Sequence, residues 1–110
     1  MNSKYKYLIK NTGILAVMST YNSWNHIPNS ASHYLLTDIL RDEWGFKGMI
    51  MTDWTTTEQG EDCTASGCMR AGNDLVMPGA FSDRDNLNQE LADGTLSMDD
   101  LKACISRLVN

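Results

Sequence analysis

Short continuous apolar runs alternate with helically spaced ones along this chain, separated by polar or glycine-containing punctuation. Residues 5–11 read as the end of a helix closed by Gly13, because glycine enters the left-handed region without steric cost. Residues 14–19 are nearly all apolar, the pattern of a strand buried on both faces of a parallel sheet. A polar, turn-rich segment with Pro28 occupies 21–32. Over 33–44, Leu35, Leu36, Ile39, Leu40 and Trp44 recur at helical spacing, with Ser32 as N-cap and Gly45 as the stop. Residues 49–52 predict a second buried strand that ends abruptly at Asp53-Trp54. A polar stretch, 55–62, carries Gly60. Residues 63–71 predict a short helix stopped by Gly72, and 75–77 a third short strand closed by Pro78 and Gly79. Two helices finish the chain. Ser82 or Asp83 caps the first, which runs to about Asp93 with Gly94 behind it. The second opens on Ser97-Met98-Asp99-Asp100, a capping box with Asp in the Glu/Gln position, and places Leu101, Ile105 and Leu108 on one face.

Strands alternating with helices predict an α/β fold with a parallel sheet. No repeat, low-complexity tract or linker divides the chain, so residues 1–110 read as one structural unit. Three parallel strands leave two unprotected edges, which suits a section of a larger structure and favours self-association. The 42% hydrophobic and 21% charged content is ordinary for a globular protein. A net charge of −5 with scattered Lys and Arg argues against nucleic acid as a partner. No stretch reaches the roughly 18 apolar residues of a membrane span. The first ten residues lack the apolar core of a secretory signal, which leaves the cytoplasm as the default location. Cys63, Cys68 and Cys104 are odd in number and form no CxxC pair, so a disulfide framework or zinc ribbon is not expected. They read as reduced thiols buried on helices, and the methionines as core filler.

The strongest local chemistry is Met49-Ile50-Met51-Thr52-Asp53-Trp54. It places a carboxylate just past the C-terminal end of a buried strand, where ligands bind in parallel α/β folds. An indole beside it can stack on the apolar face of a sugar ring while the carboxylate meets the polar edge. A turn-capping Asp beside a core Trp explains the same pattern, and both readings stand. The first strand ends similarly, at Thr20-Tyr21-Asn22. If the two strands are neighbours, the Tyr21 hydroxyl can hold the Asp53 carboxylate; packing of Tyr21 under the loop and an Asx turn at Asn22 is the alternative. Asn73-Asp74 precedes the third strand and is expected at the opposite end, in a structural role. Glu58, Glu61 and Asp62 form an acidic loop whose members are more often solvated than catalytic. His26 and His33 read as a loop residue and a helix-start residue.

The segments Ala16-Val17-Met18-Ser19-Thr20-Tyr21-Asn22, Tyr34-Leu35-Leu36-Thr37-Asp38-Ile39-Leu40-Arg41-Asp42-Glu43-Trp44-Gly45-Phe46-Lys47-Gly48 and Thr52-Asp53-Trp54 closely resemble glycoside hydrolase family 3 of the β-glucosidase type. Ala71-Gly72-Asn73-Asp74-Leu75-Val76-Met77-Pro78-Gly79 and Ile105-Ser106-Arg107-Leu108-Val109 extend the match over nearly the whole chain. The resemblance implies the C-terminal portion of a (β/α)8 TIM-like barrel: about strands six to eight and the closing helices. It makes Asp53 the catalytic nucleophile, with Trp54 lining the substrate subsites and Tyr21 beside the nucleophile. The reaction implied is retaining hydrolysis that removes terminal β-D-glucosyl residues from a β-glucoside or related oligosaccharide, with no cofactor or metal. In the family the acid/base carboxyl group usually comes from a separate domain. A Lys-His pair and an Arg and Asp that grip the sugar come from earlier barrel strands, and no segment here matches these. The chain by itself is therefore expected to be weakly active or inactive, since proton transfer alone contributes on the order of 10²–10⁴-fold. The alternative is a truncated, non-catalytic remnant that binds sugar weakly or self-associates. The match departs at Asn25-His26, where the family commonly has Asn-Gly; His26 is expected to need a different turn geometry.

Overall fold

The computed structural model describes residues 3–58 and 63–109. Helix α1 (Ser3–Asn11) leads to strand β1 (Ala16–Met18) and a hairpin of β2 (Ser23–Trp24) and β3 (Ile27–Pro28). A 3-10 turn (Asn29–Ala31) and a π-helix (Tyr34–Glu43) follow, then β4 (Met49–Met51) and a second 3-10 turn (Thr56–Glu58). Three helices complete the order: α2 (Ala65–Ala71), α3 (Phe81–Asp93) and α4 (Met98–Val109).

The sheet is parallel, as the alternation predicts. β1 and β4 pair as Ala16 with Met49, Val17 with Ile50 and Met18 with Met51. Beyond β4 the third strand contracts to a single parallel bridge between Met51 and Leu75. It stops there because the Met77 N–H turns to the Thr52 hydroxyl, at 2.9 Å, instead of to a strand carbonyl. The spatial order is thus β1, β4, Leu75, with β4 in the middle. Ile50, fully buried on β4, packs with Leu36 of the π-helix, Phe46 and Ala71, the apolar centre between sheet and helices. Helix α2 lies against the π-helix, α3 and α4.

The helix over 33–44 forms with Ser32 as cap, its Oγ accepting the Leu35 N–H at 3.2 Å. Its winding is wider than expected: the Trp44 N–H reaches Ile39 O, five residues back, at 2.8 Å. Leu36, Ile39 and Trp44 are buried, while Leu35 and Leu40 are half-buried. The last helix opens on the predicted reciprocal box, Asp100 N–H to Ser97 Oγ at 3.0 Å and Ser97 N–H to Asp100 Oδ2 at 3.1 Å.

Several expectations are corrected. Gly13 is not left-handed; the end of α1 is closed by Asn11 and Thr12, whose side chains donate to Tyr7 O and Leu8 O. Helix α3 starts one residue before Ser82, after Ala80, and Asp83 accepts the Ala80 N–H at 2.8 Å from inside the first turn. Cys63 precedes α2 and is not on it, although all three thiols are free and buried. On α4 the deeply buried residue is Cys104, while Ile105 and Leu108 stay exposed. The segment 21–32 holds a hairpin whose two-residue turn has Asn25 at φ 55° and His26 at φ 67°. Both values are left-handed, the geometry an Asn-Gly turn adopts, so His26 keeps the turn and does not change it. Gly60, Glu61 and Asp62 lie outside the described residues.

Candidate functional site

The site is built at the C-terminal tip of the middle strand. Thr52 is fully buried, its N–H bonded to Leu75 O at 2.9 Å and its hydroxyl accepting the Met77 N–H. The backbone is thereby clamped up to the residue before Asp53. Asp53 itself is half-buried, and its Oδ1 accepts the N–H of Trp54 at 2.8 Å. Trp54 is 57% exposed, which leaves side-chain surface open on the rim.

The next residue is strained. Thr55 has φ 60°, a left-handed value that is an outlier for a β-branched side chain. Two contacts hold it: its N–H donates to Met77 O at 3.0 Å and its hydroxyl to Trp54 O at 2.6 Å. Such strain persists where the surroundings over-determine the backbone, and it clusters at functional sites. Nothing in Thr55-Thr56-Thr57 as a sequence marks the first threonine out.

Tyr21 reaches the same rim from β1, as neighbouring strands require. Its hydroxyl donates to the main-chain carbonyl of Trp54 and not to the Asp53 carboxylate. It therefore braces the backbone beside the carboxylate. Asn22 stays in the hairpin, its carbonyl accepting the Asn29 N–H at 2.8 Å. Trp24 stacks on Tyr34 with ring centroids 5.5 Å apart. His26 sits in the hairpin turn, His33 directly precedes the π-helix with its Nδ1 3.4 Å from Asp38, and Glu58 is exposed at the end of the second 3-10 turn.

Asp74 is structural. Its fully buried carboxylate accepts Arg107 Nε at 2.6 Å, Arg41 Nη2 at 2.8 Å and the Ile50 N–H at 3.0 Å. Burial, and then the neighbouring Arg107, pull the Arg41 guanidinium below its ordinary pKa, while Asp74 opposes the shift. Burial likewise pushes the Cys104 thiol up. Asn73, ahead of Leu75 and fully buried, is structural as expected, and its amide crosses to Ser19, just past β1, at 2.9 Å, and to Ser30 O at 2.6 Å. That network supports the rim from beneath, and the sequence signals it only through a polar residue ending an apolar run.

Comparison with known proteins matches residues 2–110 to the glycosyl hydrolase family 3 N-terminal domain. The chain belongs to glycosyl hydrolase family 3. This family 3 chain is 37% identical over 106 residues to a β-glucosidase of Rhizobium radiobacter, covering 96% of the chain and 12% of that enzyme. It is 34% identical over 93 residues to an exo-α-(1→6)-L-arabinopyranosidase of Bifidobacterium breve, covering 84% of the chain and 12% of that enzyme. Among solved structures, β-glucosidase 3B of Thermotoga neapolitana with bound glucose superposes with a TM-score of 0.84 at 32% identity. That match covers 94% of the chain and 15% of the Thermotoga protein. The chain thus spans about an eighth of the length of these two curated relatives.

Proposed function

We propose that this chain carries the nucleophile of a retaining glycosidase that removes terminal β-D-glucosyl residues from β-glucosides or related oligosaccharides. The observation that carries the reading is the position of Asp53. It stands at the tip of the middle parallel strand, on a rim clamped by Thr52 and braced by Tyr21. In this reading β1, β4 and the Leu75 segment are about the sixth to eighth strands of a (β/α)8 barrel, and α3 and α4 its closing helices. Their parallel order and the likeness to β-glucosidase structures support that placement.

Asp53 attacks the anomeric carbon as the bond to the departing oxygen breaks, giving a covalent glycosyl-enzyme. Water then cleaves that ester. A second carboxyl group about 5–5.5 Å away protonates the leaving oxygen and later deprotonates the water. We assign that group to a separate segment of the enzyme. The exposed Trp54 indole offers a stacking face for the sugar, and the fixed Trp54 carbonyl keeps ring and carboxylate in register.

A second reading is a non-catalytic piece that self-associates. It is favoured by the free edge of β1, by Leu15 ahead of that strand at 82% exposed, and by an apolar groove of about 370 Å³ lined by Val17, Met18 and Leu40. An aryl β-glucoside with a good leaving group separates the two, because it needs little help from a general acid. Phenol release lost in Asp53→Ala supports the nucleophile; release equal in both proteins overturns it. No release from either, together with concentration-dependent dimers in sedimentation, favours the second reading.

A further inference from the structure

Helix α2 is entered through two cysteines. Thr64 is its N-cap, with Oγ1 accepting the Gly67 N–H at 3.0 Å. Cys63 is then the residue before the cap and Cys68 the fourth residue of the helix. Those two positions are where an apolar pair commonly packs to fix the angle at which a chain enters a helix. Here both members are thiols. Their sulfurs lie 3.7 Å apart, Cys63 is 4% exposed and Cys68 fully buried. Cys104 has no thiol beside it; its sulfur faces Asn73 O at 3.2 Å.

We propose that Cys63 and Cys68 form a reversible disulfide, closed by a hydroperoxide, that fastens the residue ahead of the α2 cap to the start of that helix. The sulfurs need to approach by roughly 1.7 Å to reach a bond of about 2.04 Å. The two thiols share a hydrogen bond in which either sulfur can be the donor. Cys63 is the less buried of the two, and the shared hydrogen bond lowers its thiol against the effect of burial, while that bond and burial both raise Cys68; Cys63 is therefore the attacking sulfur. Its thiolate attacks one peroxide oxygen, the O–O bond breaks, and the departing hydroxide takes up a proton to leave as water. Cys68 then attacks the sulfenic acid on Cys63. The S–S bond forms as the second oxygen leaves with the Cys68 proton as water. Two electrons from the two sulfurs thus reduce one hydrogen peroxide to two waters.

The test treats the folded chain with hydrogen peroxide, unfolds it in iodoacetamide and maps the cysteines by mass spectrometry. The expected product has lost two hydrogens, carries a Cys63–Cys68 cross-link and is alkylated at Cys104 alone, and dithiothreitol reverses it. Cys63→Ser is expected to abolish the cross-link and Cys104→Ala to leave it unchanged. The wild-type chain suffices to overturn the proposal. Alkylation at all three cysteines does so, as does a Cys63 carrying two or three oxygens, or cross-links to Cys104 or between chains.

Discussion

Arg107 of α4 places its Nε 2.6 Å from the buried carboxylate of Asp74, joining the last helix to the segment that leads into the sheet. Arg41 meets the other oxygen at 2.8 Å and also donates to Gly48 O and Gly72 O, at 2.9 and 3.0 Å. One carboxylate therefore locks the π-helix, the β4 entrance and α4 together. Removing it leaves two guanidinium groups in a desolvated site. Asp74→Ala is expected to cost about 3–5 kcal/mol, a large share of the stability of any small domain. Urea unfolding would show a strongly lowered midpoint or no cooperative transition, and an unchanged midpoint would refute the lock.

The hairpin turn gives a change in the opposite direction. His26 holds φ 67°, where a side chain is strained and glycine is not. His26→Gly should raise stability by roughly 0.5–1 kcal/mol, read as a rise of a few degrees in thermal midpoint. Glycine's greater freedom in the unfolded chain keeps the gain small. A lower midpoint would mean that the imidazole makes a stabilising contact outweighing the backbone strain.

Much of this architecture is legible in the sequence because local signals and tertiary packing agree. The apolar runs around Val17 and Ile50 are strands, Ser97 and Asp100 cap each other, and Asp53 stands where a buried strand meets polar residues. What escapes the sequence is set by contacts between distant segments. Strands as short as Ser23–Trp24 and Ile27–Pro28 carry no alternation to detect. The target of the Tyr21 hydroxyl depends on how far two rims are offset, and the strain at Thr55 on a carbonyl contributed by Met77. On α4, Leu101, Ile105 and Leu108 form a good apolar face by spacing, yet the helix turns Cys104 inward toward Asn73.

Gly48 tests how closely the strands must approach. A Cβ built there would stand 2.1 Å from Leu15 O and 2.7 Å from the Phe46 ring. Leu15 O is also the acceptor for the Met49 N–H at 3.0 Å, so it has no room to retreat without losing that bond. Gly48→Ala is expected to destabilise by about 1–3 kcal/mol or more, through overpacking beside a backbone atom. Equilibrium unfolding checks the magnitude. An alanine tolerated without loss would show that β1 and β4 can separate at their start.

Tyr21→Phe isolates the brace at the rim. The phenol is half exposed and its bond to the Trp54 carbonyl is neutral, so stability should fall by no more than about 1 kcal/mol. Thr55 still donates to the same carbonyl, at 2.6 Å, so the rim keeps one of its two ties. If Asp53 is the nucleophile, looser positioning should still slow its attack, because a displacement of about 1 Å can cost up to 10²-fold. The measurement is the rate at which an aryl 2-deoxy-2-fluoro-β-glucoside labels Asp53, compared in the two proteins. Slower labelling with an unchanged thermal midpoint marks Tyr21 as a positioning residue. Equal labelling rates would show that Thr55 fixes the Trp54 carbonyl unaided, and a fall in midpoint matching the loss of rate would assign Tyr21 to the fold alone.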